Sequence, residues 1–105
     1  MNNMTGDVKY CAILTMRYLN KSLMQSCHDY IAGHMPPPPK GLIAMRSFHI
    51  APDRGMSLCY FDTNENLNAA FPSMKEFQQR VAAKFEAKAD AQKAITSSQS
   101  DFGDR

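Results

Sequence analysis

The sequence predicts one α+β domain of the ferredoxin-like, split βαβ type, in which an antiparallel sheet carries two helices on one face. The predicted elements follow the order strand, helix, strand, strand, helix and weak strand, which is the order of that fold. A length of 105 residues suits a single domain. Right-handed crossovers place both helices on the same face of the sheet.

The first half of the chain predicts a strand, a helix and a stiff loop. Val8–Leu19 is rich in β-branched and aromatic residues, which favour a strand. Asn20 or Ser22 can cap a helix that carries an apolar stripe and stops at Gly33. Four consecutive prolines, Pro36–Pro39, then hold an extended loop that leads into the second strand.

The second half predicts two helical pieces separated by a proline. Thr63 or Asn64 caps the first piece, and Pro72 interrupts it. Ser73 starts a second helix with a capping box, and this helix extends to about Ala89 or beyond.

We expect three segments along the chain. Residues 1–7 are polar and form a flexible N-terminus, 8–93 form the ferredoxin-like domain, and 94–105 form a polar tail or weak edge strand. There is no signal-peptide pattern and no apolar run of membrane-spanning length. Cys11, Cys27 and Cys59 are too widely spaced for a disulfide framework. These observations favour a cytoplasmic protein that does not bind a membrane.

Gly41–Phe61 predicts a β-hairpin that is apolar on both faces. An even-length turn at Pro52–Gly55 would pair Ile50 with Ser57 and Phe48 with Cys59. A sheet exposed to water on one side would instead alternate apolar and polar residues. Because the chain is too short to cover both faces with its own helices, the simplest cover for the second face is another copy of the chain.

The segment GLIAMRSFHIAPDRGMSLCYFDTNENLNAA, together with a long first strand and a helix that ends in Gly or His, resembles the dimeric α+β barrel superfamily. Within that superfamily it resembles the small antibiotic-biosynthesis-monooxygenase-like proteins, and the resemblance covers about Val8–Lys88. The resemblance implies a homodimer whose two sheets face each other as a barrel. It also implies an activity among cofactor-free oxygenation, haem degradation, isomerisation and ligand binding.

His49 is the candidate catalytic residue, because a half-buried imidazole on an apolar strand can exchange protons near neutral pH. Arg46 could bind a carboxylate or enolate oxygen, or could pair with an acidic residue. Ser47 lies on the predicted face of His49. The remaining candidate substrate-binding residues are His28, Tyr30 and Tyr60.

No metal site and no cofactor are expected. His28 and His34 lie too far apart to form a preformed pair of ligands on one helix face, and no nucleotide-binding or nucleophile-elbow motif occurs. The net charge of +2 is too small to indicate a nucleic-acid partner. Arg54–Phe61 partly matches an RNA-recognition octapeptide, but Met56 and Leu58 stand where bases would stack on aromatic rings.

The sequence therefore favours a dimeric protein that binds a small apolar or aromatic molecule. As an enzyme it would be a cofactor-independent monooxygenase or isomerase, with His49 as the proton acceptor. The alternative is a non-catalytic dimeric binding or scaffold protein, and an RNA-binding protein is disfavoured.

Overall fold

The computed structural model describes residues 10–98, which form one four-stranded sheet and two helices. The strands are β1 (Tyr10–Arg17), β2 (Leu42–Ala51), β3 (Arg54–Phe61) and β4 (Lys88–Ile95), and the helices are α1 (Lys21–His34) and α2 (Asn64–Lys84). The sheet is antiparallel with the order β2-β3-β1-β4. This arrangement confirms the predicted ferredoxin-like fold.

Both helices begin at a predicted capping residue. The Oδ1 atom of Asn20 accepts a hydrogen bond from the backbone N–H of Leu23 at 2.8 Å. The Oγ1 atom of Thr63 accepts one from the N–H of Asn66 at 3.0 Å. Each cap satisfies a backbone donor that has no partner within its helix.

The prediction that Pro72 divides the second helical region is wrong, because α2 runs through this residue without a break. Proline costs a helix one backbone hydrogen bond. Here Leu67 and Ala70 before it and Val81 after it are all buried, so packing along the whole helix opposes a break.

The predicted extension of this helix to Ala89 is also wrong. Phe85 caps α2, and Glu86 adopts a left-handed conformation with φ 55°, which ends the helix. The chain then enters β4 at Lys88, so the last strand precedes most of the segment in which a weak edge strand was predicted. Its alanines are good helix formers, and this explains why the sequence favoured a helix there. The predicted flexible residues 1–7 lie outside the described part of the chain.

The predicted hairpin between β2 and β3 is present, but its register was wrong. Phe48 lies opposite Met56, and His49 lies opposite Gly55. The turn between the strands consists of Pro52 and Asp53 alone, which leaves Gly55 inside β3. Because side chains alternate between faces, the new register places His49 on the face of Cys59 and away from Tyr60.

The two helices cover one face of the sheet, which we call the inner face. One core cluster joins α2 to the sheet through Ala12, Cys59, Phe61, Leu67 and Ala70. A second cluster joins α1 to α2 and to the end of β1, and its buried members are Tyr18, Met24, Cys27 and Val81. Leu42 packs against the first cluster, but no residue of β2 is among the buried members of either one, so a space remains between the rest of this strand and the helices.

The other face, which we call the outer face, has no helix on it within residues 10–98. By the strand register it carries Ile13, Leu58 and Tyr60 near its centre. Phe48 and Ile50 belong to β2 and are 46% and 49% exposed. Contiguous exposed apolar side chains of this kind mark an interaction surface.

Neither helix is long and apolar enough to cross a membrane.

Candidate functional site

A large cavity lies between the inner face of the sheet and the helices, with a volume of about 1010 Å³. Its wall is formed by α1, the proline loop, β2, β3 and α2, and most of the lining side chains are apolar. Met45, on the inner side of the edge strand β2, is 46% exposed although it points toward the helices. The cavity is therefore accessible along the proline loop and β2.

His28 and His49 bring two imidazole rings together in the cavity wall. Their ring centroids are 5.2 Å apart and the planes are inclined by 24°, so the rings are stacked. His49 extends from β2, and His28 extends from α1 toward it. Tyr18 meets His28 edge-on, with ring centroids 6.2 Å apart. The sequence indicated both histidines separately but did not indicate that they meet.

The surroundings of His28 favour its neutral form. Burial lowers the pKa of this imidazole, and a positive charge on His49 lowers it further, while Asp29 acts in the opposite direction. A neutral imidazole can accept a proton or a hydrogen bond through its free ring nitrogen. The histidine pair therefore presents an acceptor to the cavity near neutral pH.

Tyr18 and Cys27 support the histidine pair from the second core cluster. The Tyr18 hydroxyl donates a hydrogen bond to the Sγ atom of Cys27 at 3.3 Å. Burial, followed by this contact, raises the pKa of Tyr18, and burial raises the pKa of Cys27. Both groups stay protonated near neutral pH, so Tyr18 packs against His28 without acting as a base.

Ser47 and Ser57 provide further polar atoms on the inner face. Their Oγ atoms are 2.9 Å apart across the paired strands β2 and β3, and both residues line the cavity. Each hydroxyl can donate one hydrogen bond and accept others. The pair can therefore interact with a polar group on a bound molecule.

The other predicted site residues lie away from the cavity. Arg46 and Tyr60 occupy the outer face, because their neighbours in sequence occupy the inner one. Tyr30 stacks on His34 with ring centroids 3.9 Å apart, and the Nζ atom of Lys84 lies 5.2 Å from its ring. Of the six predicted residues, the structure brings His28, Ser47 and His49 together.

Gln78 is a cavity-lining residue that the sequence analysis missed. Its side chain is buried, with 5% exposed, and its Nε2 atom donates to the backbone oxygens of Thr15 at 2.9 Å and Asp90 at 3.1 Å. A glutamine next to the apolar helix positions Phe77 and Val81 was the available signal.

Among residues 10–98, no three His, Cys, Asp or Glu side chains lie close enough together to hold a metal ion.

The fold is shared with solved structures of low sequence similarity. A dimeric ferredoxin-like protein from an uncultured marine organism superposes with a TM-score of 0.67 at 12% identity, covering 89% of this chain and 99% of that one. A monooxygenase from Streptomyces coelicolor, solved in complex with nanaomycin D, gives 0.70 at 9% identity, covering 90% and 93%. A cofactor-independent oxygenase from Streptomyces nogalater gives 0.51 at 8% identity, covering 89% and 96%.

No family model and no curated protein matches the sequence. At identities this low, the structural similarity demonstrates the fold and does not assign an activity. The predicted ferredoxin-like fold is therefore confirmed, and the solved structures that share it include a dimeric ferredoxin-like protein and monooxygenases, the kinds of protein that the sequence resembles.

The lowered pKa of His28 predicts a loss of stability in mild acid. The unfolded chain takes up a proton near the ordinary value of 6.5, whereas the folded state resists it. The contribution of His28 to the free energy of unfolding is therefore fully present above that pH. It is lost as the pH drops through the lowered folded-state pKa. We expect the midpoint of thermal unfolding to decrease when the pH is lowered from 7.5 to 5, and to decrease less in His28→Gln.

The exposed His34 provides the matched control. Its Nδ1 atom lies 2.7 Å from the backbone oxygen of Tyr30 and its ring stacks on that tyrosine, outside the cavity. His34→Gln should show the same acid loss as the unsubstituted protein. An equal loss in His28→Gln would contradict the assignment to His28.

Proposed function

We propose that the protein binds a small, largely apolar aromatic molecule in the cavity between its helices and its sheet. The observation that carries this proposal is the cavity itself, which has apolar walls and a few polar atoms. Its volume of about 1010 Å³ matches sites that enclose organic ligands. His28, His49 and Ser47 supply the polar contacts that would orient such a molecule.

Filling the cavity tests whether it binds a ligand. Ala69 lies on α2 in the cavity wall and is exposed, so a larger side chain there occupies the cavity without entering the core. We expect 1-naphthol to bind the unsubstituted protein and to bind Ala69→Trp at least about tenfold more weakly, because the indole takes the space of the ligand. Isothermal titration calorimetry measures this without interference from the fluorescence of the introduced indole.

Ala83→Trp is the matched control, because Ala83 is exposed on the same helix but does not line the cavity. It should bind 1-naphthol as the unsubstituted protein does. Equal affinity in Ala69→Trp, or no binding to the unsubstituted protein, would contradict the proposed site.

We also propose that two copies associate through their outer faces. Phe48 and Ile50 expose about half of their surface, and Leu58 and Tyr60 extend the apolar area across β3. A stable interface needs roughly 800 Å² from each partner, which a sheet face can supply. A solved ferredoxin-like protein of similar fold is dimeric, which supports the association of two copies.

A charge at the centre of the outer face tests this association. Leu58 lies on the interior strand β3, opposite Arg46 on β2 and Ile13 on β1. We expect the unsubstituted protein to sediment as a dimer at micromolar concentration and Leu58→Glu as a monomer, because the carboxylate would be buried. Ala83→Glu, on the exposed side of α2, should remain dimeric. A monomeric unsubstituted protein would contradict the proposal.

We further propose that the protein catalyses oxygenation of the bound molecule without a cofactor. His49 accepts the hydroxyl proton of a bound phenol, and the electron-rich phenolate then reacts with O₂. For 1-naphthol the balanced reaction is C₁₀H₈O + O₂ → C₁₀H₆O₂ + H₂O. The ring carbon para to the hydroxyl loses its hydrogen and gains one oxygen atom as the quinone carbonyl, and the other oxygen atom leaves as water.

Replacing the proposed base separates catalysis from binding. We expect His49→Gln to lower O₂ consumption and naphthoquinone formation from 1-naphthol by about 10²- to 10⁴-fold, the usual contribution of a positioned base. Binding of 1-naphthol should change much less. Unchanged turnover in folded His49→Gln would remove His49 from the mechanism. Binding without turnover in the unsubstituted protein would instead favour a non-catalytic binding protein.

A further inference from the structure

The carboxamide of Gln78 is held in one orientation by the sheet. Its Nε2 atom donates to the backbone oxygens of Thr15 on β1 and Asp90 on β4. The reverse orientation would place the amide oxygen against two carbonyl oxygens, so it is disfavoured. The Oε1 atom is therefore directed away from these two acceptors.

This Oε1 atom is buried and accepts no hydrogen bond from residues 10–98. A buried amide acceptor without a partner is costly, and folded proteins rarely leave one unpaired. Gln78 is also one of the residues that line the cavity. An unused acceptor beside a ligand-sized space is the pattern expected where a bound molecule supplies the donor.

The sheet register places Gln78 and His49 on opposite sides of the cavity. His49 pairs with Gly55, and Gly55 pairs with Met16, which is next to the Gln78 acceptor Thr15. The two side chains therefore lie near the same cross-strand row, one above β2 and the other above β1 and β4. With about 4.8 Å between neighbouring strands, the separation from β2 to the midpoint of β1 and β4 is about 12 Å.

We propose that Gln78 is a specificity-determining residue, whose Oε1 atom accepts a hydrogen bond from the end of the ligand remote from His49. This inference rests on the proposed function and defines its ligand further. The ligand has an apolar body about as long as two fused aromatic rings and carries a hydroxyl or N–H donor at the far end.

The lining of the cavity has the flexibility that this contact requires. Because Oε1 is buried, a donor reaches it only when a lining side chain moves aside. Methionine has three rotatable bonds and adapts easily to a new neighbour. The cavity is lined on its inner side by four methionines from different parts of the chain, namely Met16, Met35, Met45 and Met74.

A matched pair of probes tests the inference. 2,6-Dihydroxynaphthalene has a hydroxyl at each end, and 6-methyl-2-naphthol replaces one of them by a methyl group. We expect the diol to bind the unsubstituted protein about fivefold more tightly or better, since the methyl compound leaves Oε1 without a donor. In Gln78→Met, which keeps the length of the side chain, the methyl compound should bind more tightly than the diol.

Gln79→Met is the control, because Gln79 is the exposed neighbour of Gln78 on α2 and should keep the preference for the diol. If Gln78→Met does not fold, the ¹³C shift of the Gln78 carboxamide carbon in the unsubstituted protein provides the second measurement. It should move with the diol and not with the methyl compound.

The outcomes separate the inference from the proposed function. Binding of both probes with equal affinity, or a preference for the diol that persists in Gln78→Met, would overturn the role of Gln78 and leave the ligand cavity intact. An unmoved carboxamide shift with the diol bound would overturn it as well. Failure of both probes to bind would overturn the cavity proposal and the inference with it.

Discussion

The pairing of β3 with β1 and β2 is the constraint on which the rest of the structure depends. Along each strand, successive side chains point to opposite faces, so the register decides which residues meet. The pairing of Ala12 with Cys59 brings two small residues under Leu67 and Ala70 of α2. The same ladder places His49 on the inner face and Leu58 on the outer face, where their surroundings differ entirely.

The cavity exists because α1 packs toward the middle of the molecule and leaves part of the sheet uncovered. Met24 and Cys27 of this helix are buried against Tyr18 and against Val81 of α2. No buried residue of either core cluster comes from β2. The inner side chains of this edge strand therefore border open space, and Met45 remains about half exposed. The proline loop leads from the end of α1 back to β2 and forms part of the same wall.

The order of the elements could be predicted from local patterns because those patterns have local causes. The caps at Asn20 and Thr63 and the strand propensity of β1 act within a few residues. The continuity of α2 through Pro72 could not be predicted, since packing on both sides of the proline outweighs its local cost. The alanines of β4 favour a helix in isolation, and their strand conformation depends on pairing with β1.

The site was harder to predict than the fold, because it depends on contacts between distant elements. A register shift between His49 and Ala51, which the sequence did not indicate, is enough to move His49 off the face of Tyr60; the shorter turn alone would have kept both residues on one face. The stacking of His28 on His49 joins α1 to β2, and no spacing in the sequence encodes it. Gln78 is recognisable as a site residue only when its two carbonyl partners are known, since these determine which of its atoms is left unpaired.

The two faces of the hairpin connect the proposed association with the proposed binding site. Phe48 and His49 are neighbours in sequence and point to opposite sides of β2. A partner that buries Phe48 restricts the movement of the strand that carries His49 and Ser47. Within residues 10–98, β2 is an edge strand that pairs with β3 alone and contributes no buried residue to either core cluster. Covering the outer face would therefore stabilise the cavity wall, with no partner residue needed inside the cavity itself.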